Sequence, residues 1–169
     1  MAELLVGQLS GAHATVATAE SLTGGLVCAG LVAVPGASAV VRGGVVAYAA
    51  DVKTDLLGVD PPVVERHGTV AAETAVAMAV AARSLFLADW GVATTGVAGP
   101  DPVEGKPVGT VHVAVAGPRG SRSMVLAAPG ERQQVRAAAV VAALQLLLDT
   151  LGDTVGDTVD GTVGGTVGT

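Results

Sequence analysis

An apolar alternating run from His13 to Thr18 leads into Ala19-Glu20-Ser21-Leu22-Thr23-Gly24-Gly25, and an apolar helical run from Leu26 to Val34 follows. Strand, glycine-paired turn and helix in that order start an α/β pattern. The turn also places a hydroxyl, Ser21, and a carboxylate, Glu20, where a strand gives way to a helix. Helix-start N–H groups there can point at whatever a nucleophile attacks. A plain glycine-rich turn is the competing reading of the segment taken alone.

The pattern continues downstream. Residues 2–11 read as a short helix, 14–19 as the first strand, and 23–34 as a helix stopped by Pro35-Gly36. A long strand spans Val40 to Ala49, with Gly43-Gly44 marking a bulge or a close approach. Asp51 suits the cap of a short helix, Val52 to Leu57, closed by Gly58, and Pro61 opens a helical turn toward His67-Gly68. An alanine-rich helix covers 71–88. Strands follow at 90–95, 109–116 and 122–128, the last two as a hairpin across Gly117 to Gly120. A final helix runs from Glu131 to Leu151 with the stripe Val135, Ala139, Ala142, Leu146 at helical spacing. Alternation followed by a hairpin predicts a single three-layer α/β/α domain with a mixed sheet over residues 1–151. The tail 152–169 opens with the repeat GDTV, GDTV, DGTV, GGTV over 152–167. Isolated valines in such a repeat bury too little to offset ordering entropy, so disorder is expected, with an edge strand as the alternative.

Composition narrows the function classes. Half of the 169 residues are apolar, yet Tyr48, Phe86 and Trp90 are the full aromatic set. The core must be built from Val, Leu and Ala. The net charge is −6, to which Asp153, Asp157 and Asp160 of the repeat contribute. There is no basic stripe with interleaved aromatics, which argues against nucleic-acid binding. Cys28 lies in an apolar run and reads as a buried inert thiol; one cysteine allows no disulfide within the chain. The start lacks the basic residues of a signal peptide, and no uninterrupted apolar run approaches the ~18 residues of a membrane span. The expectation is a cytoplasmic protein with no membrane association. His13, His67 and His112 have no metal-ligand spacing, and no phosphate-loop, dinucleotide or nucleophile-elbow motif occurs. Neither metal nor cofactor is expected.

Three further segments carry chemistry. Lys53 lies five residues after Tyr48. A first-turn position and partial burial both lower a lysine pKa, and a neutral lysine can take a proton from a serine hydroxyl, with a tyrosine as relay. Asp51 and Asp55 oppose this if they contact Lys53, and an exposed lysine on a capped helix is the competing reading from spacing. Thr94-Thr95-Gly96-Val97-Ala98-Gly99-Pro100-Asp101 follows a strand, where small residues admit a ligand to the backbone; it can also be a simple turn. Lys106 in Lys106-Pro107-Val108-Gly109-Thr110 can meet a phosphate or be solvated. Arg132 and Arg136 lie four apart on the last helix, and a guanidinium suits a phosphate or carboxylate; for Arg132 a solvated face is equally open.

Taken in order, Ala-Glu-Ser-Leu-Thr-Gly-Gly at 19–25, Arg42-Gly43, Tyr48, Lys53, Thr95 to Pro100, Lys106 to Thr110 and Arg136 resemble the CinA C-terminal domain family, the stand-alone nicotinamide-nucleotide amidohydrolases, over residues 3–151. The resemblance implies metal-free deamidation of nicotinamide mononucleotide to nicotinate mononucleotide and ammonia. It places the nucleophile on Ser21, assisted by Lys53 and Tyr48, and implies a homodimer. Backbone N–H groups near Thr23, Gly24 and Gly25 would stabilise the oxyanion. Glu20 would orient Lys53 or the ribose. Arg42, Thr95, Gly96, Ala98, Gly99, Lys106 and Arg136 would bind substrate, with the phosphate falling to Thr95, Gly96, Gly99 and Arg136. An amidase acting on a related amide, or a non-catalytic nucleotide-binding module, are the alternatives. The chain departs from the family at Ala71, where relatives often have a polar helix cap, and at Ala49-Ala50, where a polar residue is usual.

Overall fold

Valine and alanine alternate along the strands, and the alternation decides which layer each face meets. The computed structural model describes the backbone of residues 1–159, with side chains to Asp153. Its sheet has five strands in the order β2-β1-β3-β4-β5. They are β1 (Val16–Glu20), β2 (Val41–Val46), β3 (Trp90–Gly96), β4 (Thr110–Gly117) and β5 (Gly120–Ala127). β1 is parallel to β2 and β3, while β4 is antiparallel to β3 and to β5. The mixed three-layer domain expected from the sequence is the one observed.

Successive strand residues point to opposite faces. Val16, Val92, Val111, Val113 and Val115 share one core with α1 (Ala2–Gly11), α2 (Leu26–Val32) and α5 (Arg132–Val159). Ala17, Ala19, Ala93, Ala114 and Ala116 face the other way, against α4 (Ala72–Leu85) and residues flanking α3 (Pro61–His67). Leu5, Leu9, Leu31 and Leu147 are fully buried on the valine side, each contributing about 2 kcal/mol. On the alanine side the helix approaches closely: a Cβ on Gly91 would stand 2.0 Å from the Ala79 carbonyl oxygen.

β2 shows both features expected of Gly43-Gly44. Its register with β1 shifts between Val16 and Ala17. A Cβ on Gly43 would meet the Phe86 ring at 2.6 Å, and one on Gly44 would meet Thr18 Oγ1 at 2.3 Å. α4 starts at Ala71 with no side-chain cap, as the sequence anticipates. Over Arg132–Asp153, α5 is long and apolar enough to cross a bilayer. Here its Val135, Ala139, Ala143 and Leu147 pack on the sheet.

Several boundaries differ: β2 stops at Val46 and not Ala49, α2 covers Leu26–Val32 within the expected 23–34, and α4 ends at Leu85 and not 88. α5 continues past the expected end at Leu151, through the first two repeat units, to Val159. Extending a helix that tertiary contacts already nucleate costs only local propensity, and the repeat contains no proline. Asp153 also pairs with Arg122 of β5. Residues 160–169, on which the rest of the tail expectation falls, lie outside the described residues.

The order of strands fixes where a ligand can enter. β1 feeds α2 on one face, and β2 feeds a π-helical turn (Val52–Leu56) and then α3 and α4 on the other. The chain parts between the carboxyl ends of β1 and β2, where open α/β sheets form crevices.

Candidate active site

Ser21 is the first residue past β1. Its N–H donates to the Thr94 carbonyl at 3.0 Å, and its own carbonyl accepts from Gly24 N–H at 3.1 Å. The turn is closed by Gly24 (φ +61°) and Gly25 (φ +95°), left-handed conformations that side chains resist. Alternation along β1 puts Ser21 on the same side as Ala17 and Ala19, and Glu20 on the opposite side with Val16 and Thr18.

Lys53 arrives from β2. Asp51 accepts a hydrogen bond from Val52 N–H at 2.9 Å and starts the π-helical turn, a rare geometry that occurs often at functional sites. The Lys53 side chain is 1% exposed. Its Nζ donates to the Ala47 carbonyl at 2.7 Å, the Tyr48 carbonyl at 3.2 Å and Ser21 Oγ at 3.2 Å. Burial pulls the ammonium down to about 8, against the opposing charge of Glu104. The exposed-lysine reading is therefore excluded. Asp51 and Asp55 are engaged elsewhere, with Val52 N–H and Thr54 Oγ1.

A cavity of about 230 Å³ opens on this pair. Tyr48, Thr95, Gly96, Ala98 and Gly99 line it together with Ser21 and Lys53. A Cβ on Gly96 would come within 2.6 Å of the Thr110 carbonyl oxygen, so the wall there is bare backbone. Thr95 Oγ1 donates to the Thr69 carbonyl at 2.6 Å. Tyr48 is 60% exposed at the mouth, and its hydroxyl accepts from Arg132 at 3.0 Å. Arg132 also donates to the Gly99 carbonyl at 2.7 Å and lines the cavity. The tyrosine hydroxyl is thus tied to an arginine at the entrance, which is not the proton-relay arrangement the sequence suggested.

The other expected site residues lie outside this cavity. Glu20 is buried and accepts from the N–H groups of Gly25, Val27 and Cys28 at 2.9, 3.0 and 2.8 Å. It neutralises the start of α2 and does not orient Lys53. With Gly25 N–H on Glu20 and Gly24 N–H on the Ser21 carbonyl, neither amide is left for an oxyanion. Thr23 shares a buried hydrogen bond with Thr94 Oγ1 at 2.7 Å. Arg42 donates to the Phe86 carbonyl at 3.1 Å and borders a separate groove. Lys106 lies 3.7 Å from Glu104. Arg136 donates to the Leu22 and Thr23 carbonyls, both at 2.9 Å, and so staples the Ser21 turn to α5. Four-residue spacing put both arginines on one helix face, but only Arg132, a turn earlier, reaches the cavity.

Thr69, Val70 and Val103, which were not singled out from the sequence, also line the cavity, as does Asp101, which was quoted only as the end of a segment and given no role. Thr69 and Val70 precede a helix far along the chain from every motif, so only folding brings them in. Asp101 ends the small-residue segment and carried the one visible signal. Among the described residues, no group of three His, Cys, Asp or Glu could hold a metal ion.

The family model for the CinA C-terminal domain matches residues 1–151. The chain is 50% identical over 144 residues to a CinA-like protein of Frankia casuarinae, covering 85% of this chain and 33% of that one. It is 49% identical over 146 residues to a CinA-like protein of an Anaeromyxobacter species, covering 86% and 36%. It therefore spans about a third of the length of the curated relatives it matches. Among solved structures, it resembles the competence/damage inducible protein CihA of Agrobacterium tumefaciens with a TM-score of 0.84 at 36% identity, covering 89% of this chain and 93% of that one. A CinA superfamily protein of Klebsiella pneumoniae gives a TM-score of 0.87 at 29% identity, covering 90% and 96%. Fold, matched span and sequence identity agree: the chain belongs to the CinA C-terminal domain family.

Proposed function

We propose that this chain hydrolyses the carboxamide of nicotinamide mononucleotide, releasing ammonia and leaving nicotinate mononucleotide. The observation that carries the reading is the 3.2 Å contact between Lys53 Nζ and Ser21 Oγ inside a cavity. In the neutral amine, two N–H groups satisfy the Ala47 and Tyr48 carbonyls, and the lone pair is left facing the Ser21 hydroxyl. Buried carbonyls thus aim the base as well as hold it.

Ser21 Oγ adds to the carboxamide carbon as its proton passes to Lys53. The tetrahedral intermediate collapses when that proton reaches the amide nitrogen, and ammonia leaves. Lys53, neutral again, deprotonates a water that attacks the acyl ester, and the carboxylic acid departs as Ser21 regains its proton. The cationic pyridinium ring withdraws electrons from the carbonyl, so a serine activated by one amine suffices. Arg132, clamped between Tyr48 and Gly99 at the mouth, takes the phosphate in place of Arg136. The small residues Gly96 to Gly99 let the ribose approach backbone.

Ammonia release from nicotinamide mononucleotide by the purified chain tests this. Turnover is expected in the wild type and abolished in Ser21→Ala, which should still bind the nucleotide. No release by the wild type, with release from another amide in a substrate panel, would move the assignment to that amide. A homodimer is part of the proposal, supported by the open edge of β2 with Val46 exposed; light scattering checks it.

A further inference from the structure

Glu104 stands outside every motif read from the sequence, yet two parts of the cavity wall are fastened to it. The segment Val103–Lys106 is a tight turn. Val103 N–H donates to the Lys106 carbonyl at 3.2 Å, and Lys106 N–H donates back to the Val103 carbonyl at 2.9 Å. Between them Glu104 (φ +52°) and Gly105 (φ +72°) are both left-handed. A glutamate resists that conformation and holds it where its surroundings over-determine it.

Those surroundings are specific. The Glu104 carboxylate accepts from Thr69 N–H at 2.9 Å, from Thr69 Oγ1 at 2.7 Å and from Val70 N–H at 3.3 Å. Gly68, just before, leaves room for it: a Cβ there would meet Glu104 Oε2 at 2.3 Å. The Thr69 carbonyl in turn accepts from Thr95 Oγ1. One carboxylate therefore joins three cavity-lining pieces: the turn with Asp101 and Val103, the Thr69–Val70 segment, and through it Thr95.

We propose that Glu104 is a positioning residue: it pins the Asp101–Val103 wall to Thr69–Val70 and so sets the surroundings of the Lys53 amine in the same cavity. The inference rests on Lys53 as the proton acceptor. The titratable and charged groups lining the cavity with Lys53 are Tyr48, Asp101 and Arg132. Glu104 acts on Lys53 from the turn, raising its affinity for a proton, and Lys106 offsets part of that charge from 3.7 Å.

Lys53 and Lys106 are the only lysines in the chain. Carbon-13 labelling of lysine therefore gives two ε-carbon signals, and Lys106→Gln assigns them. In the unliganded protein, Glu104→Gln should lower the Lys53 titration midpoint by about 0.5 unit, a threefold rise in the neutral fraction near neutral pH. Lys106→Gln should move it upward. An unmoved Lys53 midpoint in Glu104→Gln overturns the proposal, even where stability or activity falls, because a purely structural clasp would alter those alone. If Glu104→Gln does not fold, Lys106→Gln decides, and a midpoint that does not rise overturns it. Where ammonia is released, the acid limb of kcat/KM should track the midpoint seen by resonance. If nicotinamide mononucleotide is not turned over, the amidase reading fails by itself and the titration still judges Glu104.

Discussion

At the residue scale, two side chains of the same type can have different fates one helical turn apart. Arg136 satisfies two backbone carbonyls of the Ser21 turn, whereas Arg132 reaches the cavity mouth. Removing a charged donor from a substrate phosphate costs on the order of 2 kcal/mol, so Arg132→Ala is expected to raise KM for the phosphorylated amide about thirtyfold. Arg136→Ala is expected to lower stability by about 2 kcal/mol through the orphaned Leu22 and Thr23 carbonyls. Thermal melts beside steady-state kinetics separate the two; a KM effect confined to Arg136→Ala would reverse the assignment. Lys53 carries a second prediction. Its pKa is lowered by burial to about 8, and the base must be neutral. Below that value the competent fraction rises tenfold per pH unit, so kcat/KM should climb with pH and level off above about 8. A rate that is flat from pH 6 to 9 would remove lysine from the proton path. Ser21 and Lys53 were both visible as candidates in the sequence. That they meet was implied by the family resemblance and not by spacing, because the contact depends on a π-helical turn that shifts Lys53 off the register of an ordinary helix.

At the scale of elements, the start of α2 is organised by Glu20. Its carboxylate accepts three backbone N–H groups and is buried. Glu20→Ala would strand those donors where water is scarce, at an expected cost of about 3 kcal/mol or more, read by chemical denaturation. Glu20→Gln keeps one acceptor oxygen and should cost less. Equal losses would mean that the side chain only fills space. The strand, turn and helix around Glu20 were legible from apolar periodicity and paired glycines. The direction of its carboxylate was not read: residues 16, 18 and 20 share a face, and Ser21 belongs to the other. Proximity in sequence to Ser21 suggested a shared role that strand geometry forbids. The end of α5 went unread for a different reason. A glycine- and aspartate-rich repeat has poor propensity alone, but Asp153 is held by Arg122 across the molecule, as part of a helix begun at the sheet.

At the scale of the whole molecule, the layer spacing depends on which residues lack bulk. Gly91 meets α4 across the alanine face, where its missing side chain lets the Ala79 carbonyl come close. Gly91→Ala sets a methyl against backbone and is expected to destabilise by about 3 kcal/mol, followed by the fluorescence of Trp90, the single tryptophan. Stability unchanged within about 0.5 kcal/mol would refute the tight α4–β3 contact. The sequence by itself determined the order of strands and helices and the mixed sheet, because side-chain period and glycine or proline punctuation act over a few residues. It also marked the turn holding Ser21 and the small-residue wall from Thr95 to Gly99. Tertiary structure alone decided which arginine meets the cavity, that Glu104 fastens two distant segments, and that the Lys53 amine points at Ser21. Those outcomes depend on distances between residues that lie tens of positions apart, and on burial that no local window contains.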